Sequence, residues 1–225
     1  MRLTLVAFGV VTALACDNGA GPAPPQASTF RALHAIRGGL TLNVVVDGRP
    51  LATALAFGLV TRPLAVSPGQ HTLDPLPSDG RPRVLLGFTT VSGVNYTAFV
   101  IDSISGTTHI VDPVLVSDTG ALPAAGHSRL RITSFAAAAP AVDAYRTQPD
   151  SSGLLVSAQP LNFRAVTRYF DGAPGDWSVV ISHASTKDTL LATGSIPLGD
   201  GQARTLVVID STAGLVTWRL VPDRN

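Results

Sequence analysis

The sequence predicts an all-β protein: two tandem Ig-like β-sandwich domains behind a signal peptide and a short linker. Three observations predict it. Apolar and polar residues alternate with a period of two in several segments. Turn residues recur about every 8 to 12 positions, the spacing of short strands in a sandwich, supplied by 21 Gly and 17 Pro. One half of the chain can also be laid over the other.

The first element is residues 1–15. Arg2 precedes an apolar run from Leu3 to Ala15. A spanning helix needs about 20 apolar residues, so this run is too short to remain in a membrane. It has the form of a secretory signal peptide, with small residues Ala13 and Ala15 before a cut. Cleavage there makes Cys16, the only cysteine of 225 residues, the first residue of the mature chain. Two readings follow. The stretch ALAC resembles a lipobox, with Ala13 where Leu is usual, and predicts lipidation of Cys16. Ala-x-Ala also satisfies ordinary signal peptidase, for which Cys16 is incidental. Two acyl chains on one residue give stable anchoring where one does not. A lone Cys excludes an internal disulfide and a Cys-ligated metal cluster.

Residues 16–28 hold the lipidation candidate and a flexible linker, DNGAGPAPPQAS. Near polyproline geometry it would reach on the order of 35 Å, enough to hold a domain off a membrane surface. Asp17 resembles an inner-membrane retention signal, but an Arg-rich chain with Lys187 as its one lysine leaves inner or outer membrane open. The expected location is the bacterial cell envelope.

The first sandwich is expected over 29–117, a linker over 118–127 and the second sandwich over 128–225. Internal matches carry this division. At a shift of 106, LAFGLVTRPLAVSPG lies over LNFRAVTRYFDGAPG, pairing Phe57 with Phe163, Arg62 with Arg168 and Gly69 with Gly175. Upstream the shift is 100, with FRALHAIRGG over LRITSFAAAA; downstream it is 108, with GVNYTAFVIDS over GQARTLVVIDS. Growing shifts in chain order are what loop insertions in a duplicated unit of about 95 residues produce, the largest insertion falling in TQPDSSG. Phe57 and Phe163 are expected in the cores of their copies.

Within the copies, Leu40, Leu42, Val44 and Val46 share one strand face; so do Trp177, Val179 and Ile181, and Val216, Trp218 and Leu220. Each pattern reads as a strand with one face on a core. Turns fall at DGRP, SPGQ, PSDGRP, VSGVN and SISGT, then at PDSSG, GAPGD, STKD, LGDGQ and STAG.

The opening of each copy resembles a bacterial extracellular family, domain of unknown function 4397, whose start runs roughly "vrvvHaspdaPavDvyvdG". The first copy matches at His34, Ala35, Asp47 and Gly48, then at Leu55, Phe57, Gly58 and Gly69. The second matches at Pro140, Ala141, Val142, Asp143 and Tyr145, then at Leu161, Phe163 and Gly175. Asn43 and Ser134 stand where the family has Asp and His. The resemblance implies envelope-exposed tandem β-sandwiches, often on lipoproteins. It brings no established activity and no catalytic residue.

The chemistry expected is binding, adhesion or scaffolding without catalysis. Net charge +1 and 14% charged residues give no field to gather nucleic acid. No G-x-S-x-G, H-E-x-x-H, Walker or EF-hand pattern occurs. No catalytic residue, cofactor-binding residue or metal ligand is expected. The partners expected are a membrane, through Cys16, and an envelope glycan or protein. An unrecognised hydrolase is the remaining alternative.

Several polar residues are candidates with an ordinary structural role beside the functional one. His34 shares a face with Phe30, Ala32 and Ile36, as a core or strand-end His does. Asp102 and Asp210 each end an apolar strand in the sequence IDS, where Asp commonly bonds the next turn. His109 and Asp112, three apart on a strand, face opposite ways. His71 lies over Trp177, a packing position. Asp171 and Asp176 bracket a turn with too few oxygens for Ca²⁺. Asn95 begins a formal glycosylation sequon but reads as strand. Tyr145, Tyr169, Phe170 and Trp177 make a sugar-binding face only if several point outward.

Overall fold

The computed structural model describes residues 27–139, 141–148, 159–211 and 215–224. The signal peptide, Cys16, Pro140 and most of the TQPDSSG turn lie outside the described residues. All described regular structure is β. The first half carries β1 (Ser28–His34), β2 (Leu42–Val46), β3 (Arg49–Leu55), β4 (Leu64–Val66), β5 (Gly69–Pro77), β6 (Leu86–Thr90), β7 (Asn95–Ser105) and β8 (Thr108–Asp118). The second carries β9 (Ser128–Phe135), β10 (Val142–Gln148), β11 (Ala165–Val166), β12 (Phe170–Gly172), β13 (Gly175–His183), β14 (Thr189–Ala192), β15 (Ile196–Leu198), β16 (Ala203–Asp210) and β17 (Val216–Arg224). Ser28 and Asp118 are therefore strand residues rather than linker.

Each half is a sandwich. In the first, sheet β3-β2-β5-β6 faces sheet β4-β1-β7-β8. The alternating residues Leu42, Val44 and Val46 meet Phe30, Ala32, Ala98 and Val100 between them. The DG pair closes the β2–β3 hairpin with both residues at positive φ, Asp47 at 49° and Gly48 at 74°, the conformation a two-residue hairpin of matching twist requires. In the second half, β10-β13-β14, with β15 also on β13, faces β11-β9-β16-β17. Trp177, Val179 and Ile181 fill its core with Leu130, Ile132 and Val208, and Val216, Trp218 and Leu220 join it as their alternation predicts. The strand order repeats. β1 pairs β4 antiparallel and β7 parallel; β9 pairs β11 antiparallel and β16 parallel. Gly69 and Gly175 both open the strand after a Pro-Gly turn, at φ 140° and 136°.

The two sandwiches are stacked, which the alternation does not foretell. Leu33, Ala35, Phe99, Ile101 and Val116 of the first meet Phe135, Val207, Ile209 and Val221 of the second in a third buried cluster. Phe99 stacks on Phe135 with ring centroids 4.7 Å apart. The molecule is thus four layers of sheet with three apolar interlayers. The central strands β1, β7, β9 and β16 are buried on both faces. Phe57 and Phe163 depart from expectation. Both pack on the cluster between the sandwiches, half-buried, rather than within a core. Each precedes a residue in left-handed conformation, Gly58 (φ 75°) or Arg164 (φ 71°), and the turn there carries the ring to the junction.

Candidate functional site

At one end of the junction the sequence places an arginine at one repeated position of a buried central strand, once per half. Arg31 on β1 and Arg131 on β9 both point into the space between sandwiches. Each anchors its Nε on a threonine of the neighbouring parallel strand: Arg31 on Thr97 at 2.9 Å and Arg131 on Thr205 at 3.0 Å. Each then crosses to the last strand of the other half. Arg31 reaches Asp223 at 3.2 Å and Arg131 reaches Asp118 at 2.6 Å. The phenol of Tyr169 lies 2.8 Å from Asp223 and 3.1 Å from Asp118, and the Arg131 guanidinium stacks over its ring at 4.6 Å. All four charged side chains are nearly inaccessible. Burial, with the charge of Asp118 adding to it, pushes the Asp223 carboxyl up to about 6. Burial likewise lowers Arg31 and raises the Tyr169 phenol. Removing one member of such a buried pair costs about 3–5 kcal/mol because the other is left uncompensated. The cluster ties the two sandwiches together through buried ion pairs. Tyr169, half-buried, bridges the two aspartates of this tie through its phenol.

His71 and Asp47 form the second arrangement. The His71 Nδ1 lies 2.7 Å from Asp47 Oδ2 and its Nε2 lies 2.8 Å from the Ser67 carbonyl. Both partners are acceptors, so both ring nitrogens donate and the ring is an imidazolium. The Asp47 bond, ahead of the opposing desolvation, raises the His71 pKa; the same bond, with that from the Thr72 amide, lowers Asp47. Trp177 makes the matching bond in the second half, its Nε1 donating to the Ala173 carbonyl at 2.9 Å. His71 and Trp177 thus do one job: a ring N–H closes the Pro-Gly turn four residues back.

The remaining candidates separate. His34 is fully buried with the face sequence assigned it; Nδ1 donates to the Leu55 carbonyl at 3.0 Å and Nε2 has no partner among the described residues. Burial lowers its pKa, so the ring is neutral. Asp102 accepts from His109 Nδ1 at 2.7 Å, with Arg81 3.7 Å away. Asp210 instead accepts the backbone N–H groups of Ala137 and Ala138. The two IDS aspartates share a place but not partners. Asp112 faces the other half, paired with Arg164, while His109 faces away, as their spacing predicts. Asp171 pairs with Arg129, and Ser195 donates to Asp176 at 2.8 Å. The Asn95 amide donates to the Asp223 carbonyl and its oxygen accepts from Thr29, so it is engaged at the junction. Among the described residues no three His, Cys, Asp or Glu converge as metal ligands, and no aromatic ring stands free on the surface: Tyr145 and Phe170 are half-buried and Trp177 is core. An aromatic sugar platform is absent from them.

The signal for the junction was present in the sequence. Under the shift of 100, Arg31 lies over Arg131, a charge repeated at one place in an apolar strand. The ends of β8 and β17 supply the aspartates.

The family model described as domain of unknown function 4397 matches residues 28–145, which is the whole first sandwich, β9 and the start of β10. No curated protein is significantly similar in sequence. Among solved structures, a candidate adhesin from Bacteroides ovatus is 8% identical, covering 92% of this chain and 95% of its own, with a TM-score of 0.24. A candidate cell adhesion protein from Bacteroides fragilis is 11% identical, covering 84% and 85%, with a TM-score of 0.21.

Proposed function

We propose that this protein, which belongs to the domain of unknown function 4397 family, is an exported, lipid-anchored envelope protein that binds or spaces and does not catalyse. The observation that carries the non-catalytic reading is the fate of its reactive side chains. The strongest charge cluster, Arg31, Arg131, Asp118 and Asp223, is spent inside the junction. His71 and His34 are committed to backbone carbonyls, and among the described residues no His stands free beside a nucleophile to act as the base that acyl transfer needs. In this reading Cys16 is the diacylated first residue and 17–27 the spacer. Ser28 begins β1 in the central layers, so the tether enters the rigid body at the end where Arg31 and Asp223 meet. The repeated strand order and the parallel roles of Arg31 and Arg131, and of His71 and Trp177, support a duplicated domain whose copies pack on each other.

The test is fractionation of cells expressing the wild type and Cys16→Ser. The wild type is expected in the membrane fraction. The variant is expected to be soluble, with an unchanged melting temperature once purified. Retention of Cys16→Ser in the membrane contradicts the anchor.

A further inference from the structure

The outer face of the first sandwich carries a concavity of about 390 Å³ where β5 and β6 pass the β2–β3 turn. Its floor is Gly87, an exposed strand residue opposite Thr72 in the β5–β6 register. A side chain there would meet nothing within 4 Å, so the absence of one is what leaves the floor open. Gln70, Thr72 and Thr89 rim it with an amide and two hydroxyls, and Asp47 closes one side.

Asp47 is held in place before any ligand arrives. Its Oδ2 accepts from His71 and its Oδ1 from the Thr72 amide at 2.9 Å, while its side chain remains 45% exposed. Each carboxylate oxygen keeps a second lone pair for a further donor. The His71 imidazolium cancels the carboxylate charge locally, so the site has no net pull on a cation or an anion. What it offers is a strong, fixed acceptor beside an amide and hydroxyls that both give and accept. At the corresponding place on the outer face of the second sandwich, Ser195 donates to Asp176, which stands beside Pro197 where Gln70 stands beside Thr89 in the first.

We propose that this concavity binds a neutral, hydroxyl-rich ligand, a saccharide of the envelope, whose adjacent hydroxyls donate to Asp47. The assignment rests on the reading of the protein as a binding module. It gives that module a site on the first sandwich. Lacking an aromatic platform, the site takes its ligand by hydrogen bonds over a glycine floor.

The test uses the mature chain, ¹⁵N-labelled, titrated separately with maltohexaose, cellohexaose and chitohexaose, with Ca²⁺ and citrate as charged controls. At least one oligosaccharide is expected to give saturable amide shifts centred on Thr72, Gly87 and Thr89. Gly87→Leu, which fills the floor at an unstrained, open position, should keep the melting temperature and weaken that binding at least about tenfold. Asp47→Asn should weaken it as well. Shifts from none of the three sugars, shifts from a charged control instead, or full binding by Gly87→Leu would overturn the proposal. Membrane fractionation of Cys16→Ser reads the tether independently, so loss of this site and loss of the anchor are told apart.

Discussion

Phe135→Ala tests whether the two sandwiches are one body. Phe135 is 1% exposed, lies between the sandwiches rather than inside either, and stacks on Phe99 at 4.7 Å with 28° between planes. Truncating a buried Phe costs about 3–5 kcal/mol, of which about 0.5–1.5 is the ring pair itself. A domain of this kind has about 5–15 kcal/mol in total. The loss therefore falls on the junction, and each sandwich keeps its own core. Both tryptophans, Trp177 and Trp218, lie in the second half, so tryptophan fluorescence follows that half while far-ultraviolet circular dichroism follows both. In urea the wild type should give coincident transitions by the two probes. In Phe135→Ala they should separate, with the earlier midpoint shifted by the lost junction energy. Coincident transitions in the variant with a loss below about 0.5 kcal/mol, the size of an ordinary surface change, would contradict a Phe135 that holds the two sandwiches together.

Two further outcomes follow from local geometry. The His71 pKa is raised above its ordinary 6.5 by Asp47, so its contribution is full below pH 6.5 and is lost as pH rises through the higher folded value. A melting-temperature series across that range should fall in the wild type and lie flatter in His71→Gln; equal slopes would contradict the imidazolium assignment. Gly58 sits at φ 75° with the Arg219 guanidinium 2.6 Å from where a Cβ would be. Gly58→Ala should cost about 1–3 kcal/mol by chemical denaturation, and a neutral result would show that the Arg219 contact is dispensable.

The sandwich cores were legible because their strands alternate: Leu42, Val44 and Val46 face inward with Asn43 outward, and Trp177, Val179 and Ile181 do the same across the other core. The stacking was not. A strand buried on both faces reads as an unbroken apolar run, and Ala98–Ile101 and Leu206–Ile209 are such runs. They carry no period to say that a second surface lies against them. Arg31 and Arg131 were the available signal. A buried guanidinium needs a partner, and each partner lies 192 or 13 residues away in the chain, beyond what spacing can indicate. His71, which the internal match laid over Trp177, makes the same kind of ring N–H bond to the turn before it. Its charge was hidden, because it depends on the Ser67 carbonyl and the Asp47 carboxylate meeting the two ring nitrogens from different strands.

The proposed lipid anchor requires the mature protein to begin at a lipidated Cys16. Mass spectrometry of the N-terminal peptide of the protein extracted from the membrane fraction reads this directly. The expected peptide starts at Cys16 and carries diacylglycerol on its sulfur. A mature chain that starts at any other residue, or an unmodified Cys16, would contradict it.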